Sequence, residues 1–205
     1  MLHPYSIYMK SLLLILSLWG IAITSSFSQT TEADIQDIRE KYAYITQNIN
    51  SMRVVQINIE CPTYPESGAL TFYYEGERLR LVVHDYSDGG HGGGENQYFV
   101  WDGQMFFYYA NGGYWTFAQS EGDTPVTVDH VEEYRYYYKE KIPIRYLEKR
   151  YSCKSTDKNQ KTSAQVPNEE GSYGAAEEAL EEFQKMLLFE SKTHLSGTCI
   201  WESKN

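Results

Sequence analysis

Apolar residues recur at alternating steps of three and four between Glu32 and Asn50, and polar residues fill most of the positions between them. This spacing gathers the apolar side chains on one stripe of an α-helix and leaves the charged ones on the rest of its surface. The sequence therefore predicts an amphipathic helix whose stripe needs an apolar cover. The stripe consists of Ile35, Ile38, Tyr42, Ile45 and Ile49.

Apolar and polar residues then alternate with a period of two, which is the pattern of β-strands. Asp102-Gly103 predicts a two-residue hairpin turn, because Asp-Gly supplies the positive φ angles that such a turn needs. Asn111-Gly112-Gly113 and Glu140-Lys141 are predicted as further turns. Pro143 predicts an edge position or a bulge, since proline has no N–H to donate. The predicted strands are residues 53–60, 70–74, 78–85, 97–101, 104–109, 114–117, 130–139 and 142–151.

The rest of the chain is a polar stretch followed by a second amphipathic pattern. Residues 154–174 contain few apolar side chains, which predicts a flexible polar linker. Ala176, Leu180, Phe183 and Leu187 then share one stripe of a predicted C-terminal helix.

These elements together predict an α+β fold. About eight consecutive antiparallel strands form a meander, which twists and curls. We therefore expect a domain over residues 29–153 in which the N-terminal helix packs on a curved antiparallel β-meander, an open half-barrel. The linker and a C-terminal helix and tail, residues 175–205, follow it.

The first 28 residues have the pattern of a cleaved secretory signal peptide. Lys10 precedes the apolar residues 11–23, and Ser26 and Ser28 stand at the small-residue positions that signal peptidase recognises. The apolar run is shorter than the roughly 20 residues of a transmembrane helix. We expect cleavage to leave a secreted or periplasmic protein without a transmembrane span. An uncleaved anchor is the alternative.

The net charge of the chain restricts the classes of partner, and its cysteines restrict the possible disulfide bonds. The formal net charge of −10 at pH 7 repels phosphate backbones, which argues against nucleic acid as a partner. An exported chain meets oxidising conditions, so we expect one disulfide among Cys61, Cys153 and Cys199. Three pairings are open, and we favour Cys153–Cys199 because both residues flank the linker and the C-terminal helix. Three reduced, half-buried thiols are the alternative.

Aromatic side chains occupy both faces of the predicted strands between residues 95 and 117. A sheet with one face in water alternates apolar with polar residues, so here both faces need a cover or one face binds a ligand. Packing alone explains the pattern if the helices cover both faces. As a binding surface, the rings suit an apolar small molecule, a glycan or a protein partner. The candidate ligand-binding residues are Tyr98, Trp101, Phe107, Tyr109, Trp115, Tyr134, Tyr136 and Tyr138.

One glycine-rich stretch brings histidines and carboxylates close together in sequence. Imidazole and carboxylate groups bind zinc and related divalent metals. The candidate metal ligands are His84, Asp85, Asp88 and His91. Their spacing matches no zinc motif that we can identify, and the EF-hand pattern fails at Ser87 and Gly89. A solvated hairpin loop is the alternative, and no other cofactor is predicted, because the glycines lack the G-x-G-x-x-G spacing.

Three functions remain open from the sequence. The first is an exported soluble domain without catalytic activity that binds a ligand through its curved aromatic sheet. The second is a metal-assisted hydrolase that uses the histidine and aspartate loop. The third is a structural or assembly subunit that meets a partner through an edge strand or the C-terminal helix.

Overall fold

The computed structural model describes residues 31–61, 66–119, 125–171, 174–190 and 199. The predicted signal peptide lies outside these residues. Contacts divide the chain into two compact units, and the boundary lies between Glu40 and Lys41.

The described part of the first unit is helical. Residues 31–40 belong to helix α1, which is helical from residue 31 to residue 48. Its exposed side is tied by polar contacts, with Arg39 3.7 Å from Glu32 and the Gln36 amide donating to Glu40 at 2.9 Å. Ile35 and Ile38 are buried, as the predicted stripe requires.

The second unit begins with the last turns of α1 and a short 3-10 turn, Ile49–Ser51. Ile45 is fully buried. Polar side chains of these turns donate hydrogen bonds to backbone carbonyls one turn earlier. The Thr46 hydroxyl donates to the Tyr42 carbonyl at 3.0 Å, and the Asn48 amide donates to the Tyr44 carbonyl at 2.8 Å. Such local bonds satisfy carbonyls at the helix end.

Eight strands form one antiparallel sheet in which each strand pairs with its neighbour in sequence. Among the described residues β1 and β8 do not pair, so the sheet is open. The predicted α+β fold is therefore confirmed. The strands are β1 Arg53–Glu60, β2 Glu66–Glu75, β3 Arg78–Asp88, β4 Gly92–Trp101, β5 Gln104–Phe117, β6 Thr127–Lys139, β7 Ile142–Lys154 and β8 Glu169–Glu170, followed by helix α2 Ala176–Glu190.

Two of the predicted turns are confirmed. Asp102 and Gly103 have φ angles of 49° and 76°, and Glu140 and Lys141 have 51° and 68°. Both pairs therefore form two-residue turns in the left-handed region that such hairpins need. The register of β6 and β7 shifts between Tyr137 and Tyr138, opposite Pro143, which is the bulge that proline predicted.

The predicted turn at Asn111-Gly112-Gly113 is wrong, because β5 continues through it. Gly113 pairs with Gly93 on one side and Val131 on the other. A Cβ atom on Gly113 would lie 2.1 Å from the carbonyl oxygen of His130. The glycine is therefore needed for close approach of two strands and not for a change of chain direction.

Each face of the sheet packs against a helical segment, which accounts for the buried aromatic residues on both faces, whereas Tyr114 and Phe117 at the far end of β5 are exposed. Strand alternation sends the side chains of Phe72, Tyr98 and Val100 into one cluster with Ala179 and Phe183 of α2. We call this the α2 face.

The opposite face packs against residues 41–48 of α1, and we call it the α1 face. The Tyr42 ring lies 4.9 Å from the Phe99 ring and 5.5 Å from the Phe107 ring. Arg80, almost fully buried there, lies 3.9 Å from the centre of the Trp101 ring and donates to Glu75 at 2.7 Å. The ion pair compensates part of the cost of burying the guanidinium.

The predicted linker contains ordered contacts in its described part. A 3-10 turn, Ser163–Gln165, receives a 2.9 Å hydrogen bond from the Lys149 ammonium at the Ser163 carbonyl. Strand β8 pairs with β7, and Arg145 lies 2.6 Å from Glu170. The flexibility of residues 154–174 stays a prediction.

The predicted disulfide Cys153–Cys199 is wrong, because the bond joins Cys61 and Cys199. Cys61 follows β1 in the alternation of Ile57 and Ile59, so it reaches the α2 face, where Cys199 is also buried. Cys153 lies on β7 at an alternate position with Leu147 and Lys149, so its side chain points to the other face of the sheet. Its thiol is free and donates to the Lys161 carbonyl at 3.6 Å.

Candidate functional site

The eight predicted ligand-binding residues separate into three groups. Trp101, Phe107 and Tyr109 lie on the α1 face. Trp115 lies at the far end of β5, where its ring is 4.5 Å from the His91 ring. The other four share the α2 face, because alternation within β4 and β6 gives them the same direction. They are Tyr98, Tyr134, Tyr136 and Tyr138.

Strands β6 and β7 bring tyrosine rings together on the α2 face. Tyr136 pairs with Tyr146 across the strands, and their ring centres are 4.4 Å apart with nearly parallel planes. Tyr134 and Tyr138 continue the row along β6, with centres 6.4 Å from Tyr146 and Tyr136 respectively. We call these four residues the tyrosine row.

A cleft of about 500 Å³ lies between the tyrosine row and the beginning of α2. This volume is in the range of pockets that hold small molecules. We call it the tyrosine cleft. Its aromatic lining residues are Tyr108, Tyr134, Tyr136 and Tyr146, and its charged lining residues are Glu148, Arg150, Glu178 and Glu182.

Three tyrosine hydroxyls in or beside this cleft donate to carboxylates, whereas the Tyr138 hydroxyl donates to the Ala176 carbonyl. Tyr146 donates to Glu148 at 2.5 Å, and the hydroxyl of Tyr98 donates to Glu182 at 2.8 Å. Tyr134 donates to Glu132 at 2.5 Å. These bonds fix the rings, because a hydrogen bond to a charged acceptor is stronger than one between neutral groups.

The phenols stay protonated at neutral pH. Burial, followed by the hydrogen bond to Glu132, raises the pKa of Tyr134 to about 12. Burial and the adjacent Glu148 carboxylate raise the pKa of Tyr146 as well. Each hydroxyl therefore keeps its proton for a carboxylate and leaves oxygen lone pairs that can accept a further hydrogen bond.

Arg150 is the cation among the described residues that line the cleft. Its guanidinium lies 3.2 Å from Glu148 and 5.6 Å from the centre of the Tyr134 ring. Its side chain is 59% exposed, so these contacts are weak and the group can move away at little cost. Arg150 therefore neutralises part of the negative charge of the cleft, and its exposed side chain can move away from the cleft.

The three candidate metal ligands whose side chains the structure describes, His84, Asp85 and His91, do not form one site. His84 and Asp85 are successive residues of β3, so their side chains point to opposite faces. His84 is buried near Tyr86, with 5.4 Å between ring centres, whereas His91 packs on Trp115. The side chain of Asp88 lies outside the described residues. In the part of the chain that the structure describes, no group of three His, Cys, Asp or Glu side chains could hold a metal ion.

The sequence prediction missed the half of the cleft that β7 and α2 provide. Tyr146, Glu148 and Arg150 lie at alternate positions of β7, and Glu178 and Glu182 lie one turn apart on α2. The alternation on β7 is visible in the sequence, but the bulge decides which of its two faces meets Tyr136.

A second cleft of about 510 Å³ lies near the end of α2. Phe183 and Leu187 of the helix and Tyr74, Leu79 and Val100 of the sheet give it apolar walls. Its rim consists of the two hairpin turns after β2 and β4. It lacks the paired hydroxyls and carboxylates of the tyrosine cleft.

No helix among the described residues has the length and apolar character needed to cross a membrane. Comparison of the chain with protein-family models, with curated proteins and with solved structures gave no match.

Proposed function

We propose that this protein is an exported binding domain without catalytic activity, and that it holds a small molecule in the tyrosine cleft. The observation that favours this site is the combination of a concave surface, stacked aromatic walls and several convergent polar groups. Ligand pockets are typically built this way, with aromatic contact area for affinity and a few polar groups for orientation.

The chemistry of the cleft favours binding over catalysis. Its described lining residues include tyrosines, glutamates, one arginine and one asparagine, but no histidine, cysteine or serine. A serine or cysteine nucleophile paired with a histidine base is therefore missing from the described lining. The separation of His84, Asp85 and His91 likewise gives no support to metal-assisted hydrolysis.

Export is supported by two features. The N-terminal pattern is that of a signal peptide, and the Cys61–Cys199 disulfide is typical of proteins in oxidising compartments. We expect N-terminal sequencing of the protein recovered from outside the cytoplasm to begin at Gln29. A protein that retains Met1 at its N-terminus would contradict the proposed processing.

Native mass spectrometry of freshly purified protein tests the binding site. We expect a population with the mass of a bound small molecule. Tyr134→Ala removes one wall of the cleft and should lose that mass, because a stacked aromatic surface contributes much of the contact area. Tyr114→Ala is the matched control, since Tyr114 is a half-exposed tyrosine of β5 outside the cleft lining. A bound mass that survives Tyr134→Ala would place the ligand elsewhere.

A further inference from the structure

We infer that the ligand of the tyrosine cleft is a small organic cation with a primary ammonium group. This inference rests on the proposed function, because it assigns a ligand class to the same cleft. Three properties of the lining favour it: the charge balance, the balance of hydrogen-bond donors and acceptors, and the aromatic walls.

The charge balance of the lining is negative. Glu148, Glu178 and Glu182 face Arg150 as the cation among the described lining residues. Glu132 adds a further carboxylate at the edge, where it accepts from Tyr134. Carboxylates held close together in a partly closed cleft attract a cation more strongly than they would in bulk water. An anionic ligand would meet the opposite field.

The hydrogen-bonding groups of the lining are mainly acceptors. Carboxylate oxygens only accept at neutral pH, and tyrosine oxygens whose protons already serve a carboxylate can accept again. Donors come from Arg150, the Asn96 amide and the hydroxyls of Tyr108 and Tyr136. A primary ammonium carries three donors and no acceptor, so it complements such a lining. A sugar hydroxyl would use only part of it.

The aromatic walls favour a cation as well. A cation over the face of a tyrosine ring is attracted by the negative π-surface. Arg150 already uses this attraction, with its guanidinium 5.6 Å from the centre of the Tyr134 ring. The ligand ammonium therefore competes with Arg150 for the same rings and carboxylates.

Calorimetric titration of the purified full chain with 1,5-diaminopentane tests the inference. The matched neutral probe is 1,5-pentanediol, which has the same chain length and two hydroxyls in place of the two ammonium groups. We expect measurable binding of the diamine, weaker binding at higher NaCl concentration, and no measurable binding of the diol. Equal affinity for the two probes would overturn the cation assignment.

Charge variants locate the bound diamine in the cleft. Glu178→Gln removes one lining carboxylate and should weaken diamine binding at least about threefold, in keeping with a single partly exposed charge pair. Glu177→Gln, at the exposed neighbouring position outside the lining, should leave the affinity unchanged. Arg150→Gln should strengthen binding, because it removes the competing cation. Weaker binding in Arg150→Gln, or equal effects of the two glutamate variants, would contradict the inference.

The outcomes separate this inference from the proposed function. If the native mass spectrum shows a ligand that Tyr134→Ala removes, but the diamine does not bind, the cleft binds a ligand of another class and only the inference is wrong. If the protein shows neither a bound mass nor diamine binding, both are wrong. Diamine binding with the expected variant pattern supports both.

Discussion

Burial determines the role of single residues in this protein more than their position in the sequence does. His84 was a candidate metal ligand because of its neighbours in the chain, yet its side chain is only 3% exposed. Burial disfavours the charged imidazolium and lowers the pKa of His84 to about 4. The residue therefore acts as a neutral part of the sheet at physiological pH.

The lowered pKa predicts how acid affects stability. The His84 imidazole stays neutral in the folded protein down to about pH 4 but takes up a proton near pH 6.5 when the chain unfolds. Stability is therefore fully present above pH 6.5 and is lost as the pH falls toward 4, by up to roughly 3 kcal/mol. We expect His84→Gln to lose less stability than the unmodified protein between pH 7 and pH 4.5, measured by urea unfolding. Parallel pH profiles in the two proteins would contradict this.

Particular glycines allow neighbouring strands of the sheet to approach each other closely. Strands β4, β5 and β6 approach each other where Gly93 pairs with Gly113 and Gly113 pairs with Val131. This contact makes β5 one continuous strand of 14 residues. In the sequence, glycines between two aromatic runs are as typical of a turn as of a close contact between strands. The sequence pattern cannot distinguish the two, because the contact depends on residues of other strands.

Substitution of this glycine tests the explanation. Gly113→Ala would place a methyl group 2.1 Å from the His130 carbonyl oxygen, so the strands must move apart. We expect a loss of about 2 kcal/mol in the free energy of unfolding. Gly174→Ala is the control, since its methyl group would meet no atom within 4 Å. If both variants unfold at the same urea concentration, close approach does not explain Gly113.

A disulfide links two parts of the chain that are far apart in the sequence. The Cys61–Cys199 bond joins residues 138 positions apart and links Cys199 to the end of β1. Closing such a long loop removes many conformations from the unfolded chain. The same bond holds Cys199 on the α2 face.

Removal of the bond should therefore destabilise the protein strongly. We expect Cys61→Ser/Cys199→Ser to lower the free energy of unfolding by about 3–5 kcal/mol. Cys153→Ser should change it little, because that thiol makes one weak hydrogen bond to a carbonyl. Peptide mapping without reductant should recover the Cys61 and Cys199 peptides as one species. A linked species that contains Cys153 would contradict the assigned pairing.

The sequence by itself determined most of the elements and their order, but not the continuity of β5 through residues 111–113 or the strand β8. The apolar stripes gave both helices, the period of two gave most strands, and Asp102-Gly103 and Glu140-Lys141 gave two hairpins, because these signals come from neighbouring residues. Only the tertiary structure decided which side chains meet. The bulge beside Tyr138 places Tyr146, and not Arg145, opposite Tyr136, and so selects the face of β7 that completes the tyrosine cleft. The disulfide partner of Cys199 was decided in the same way, because the face to which a cysteine points depends on register and packing across the sheet.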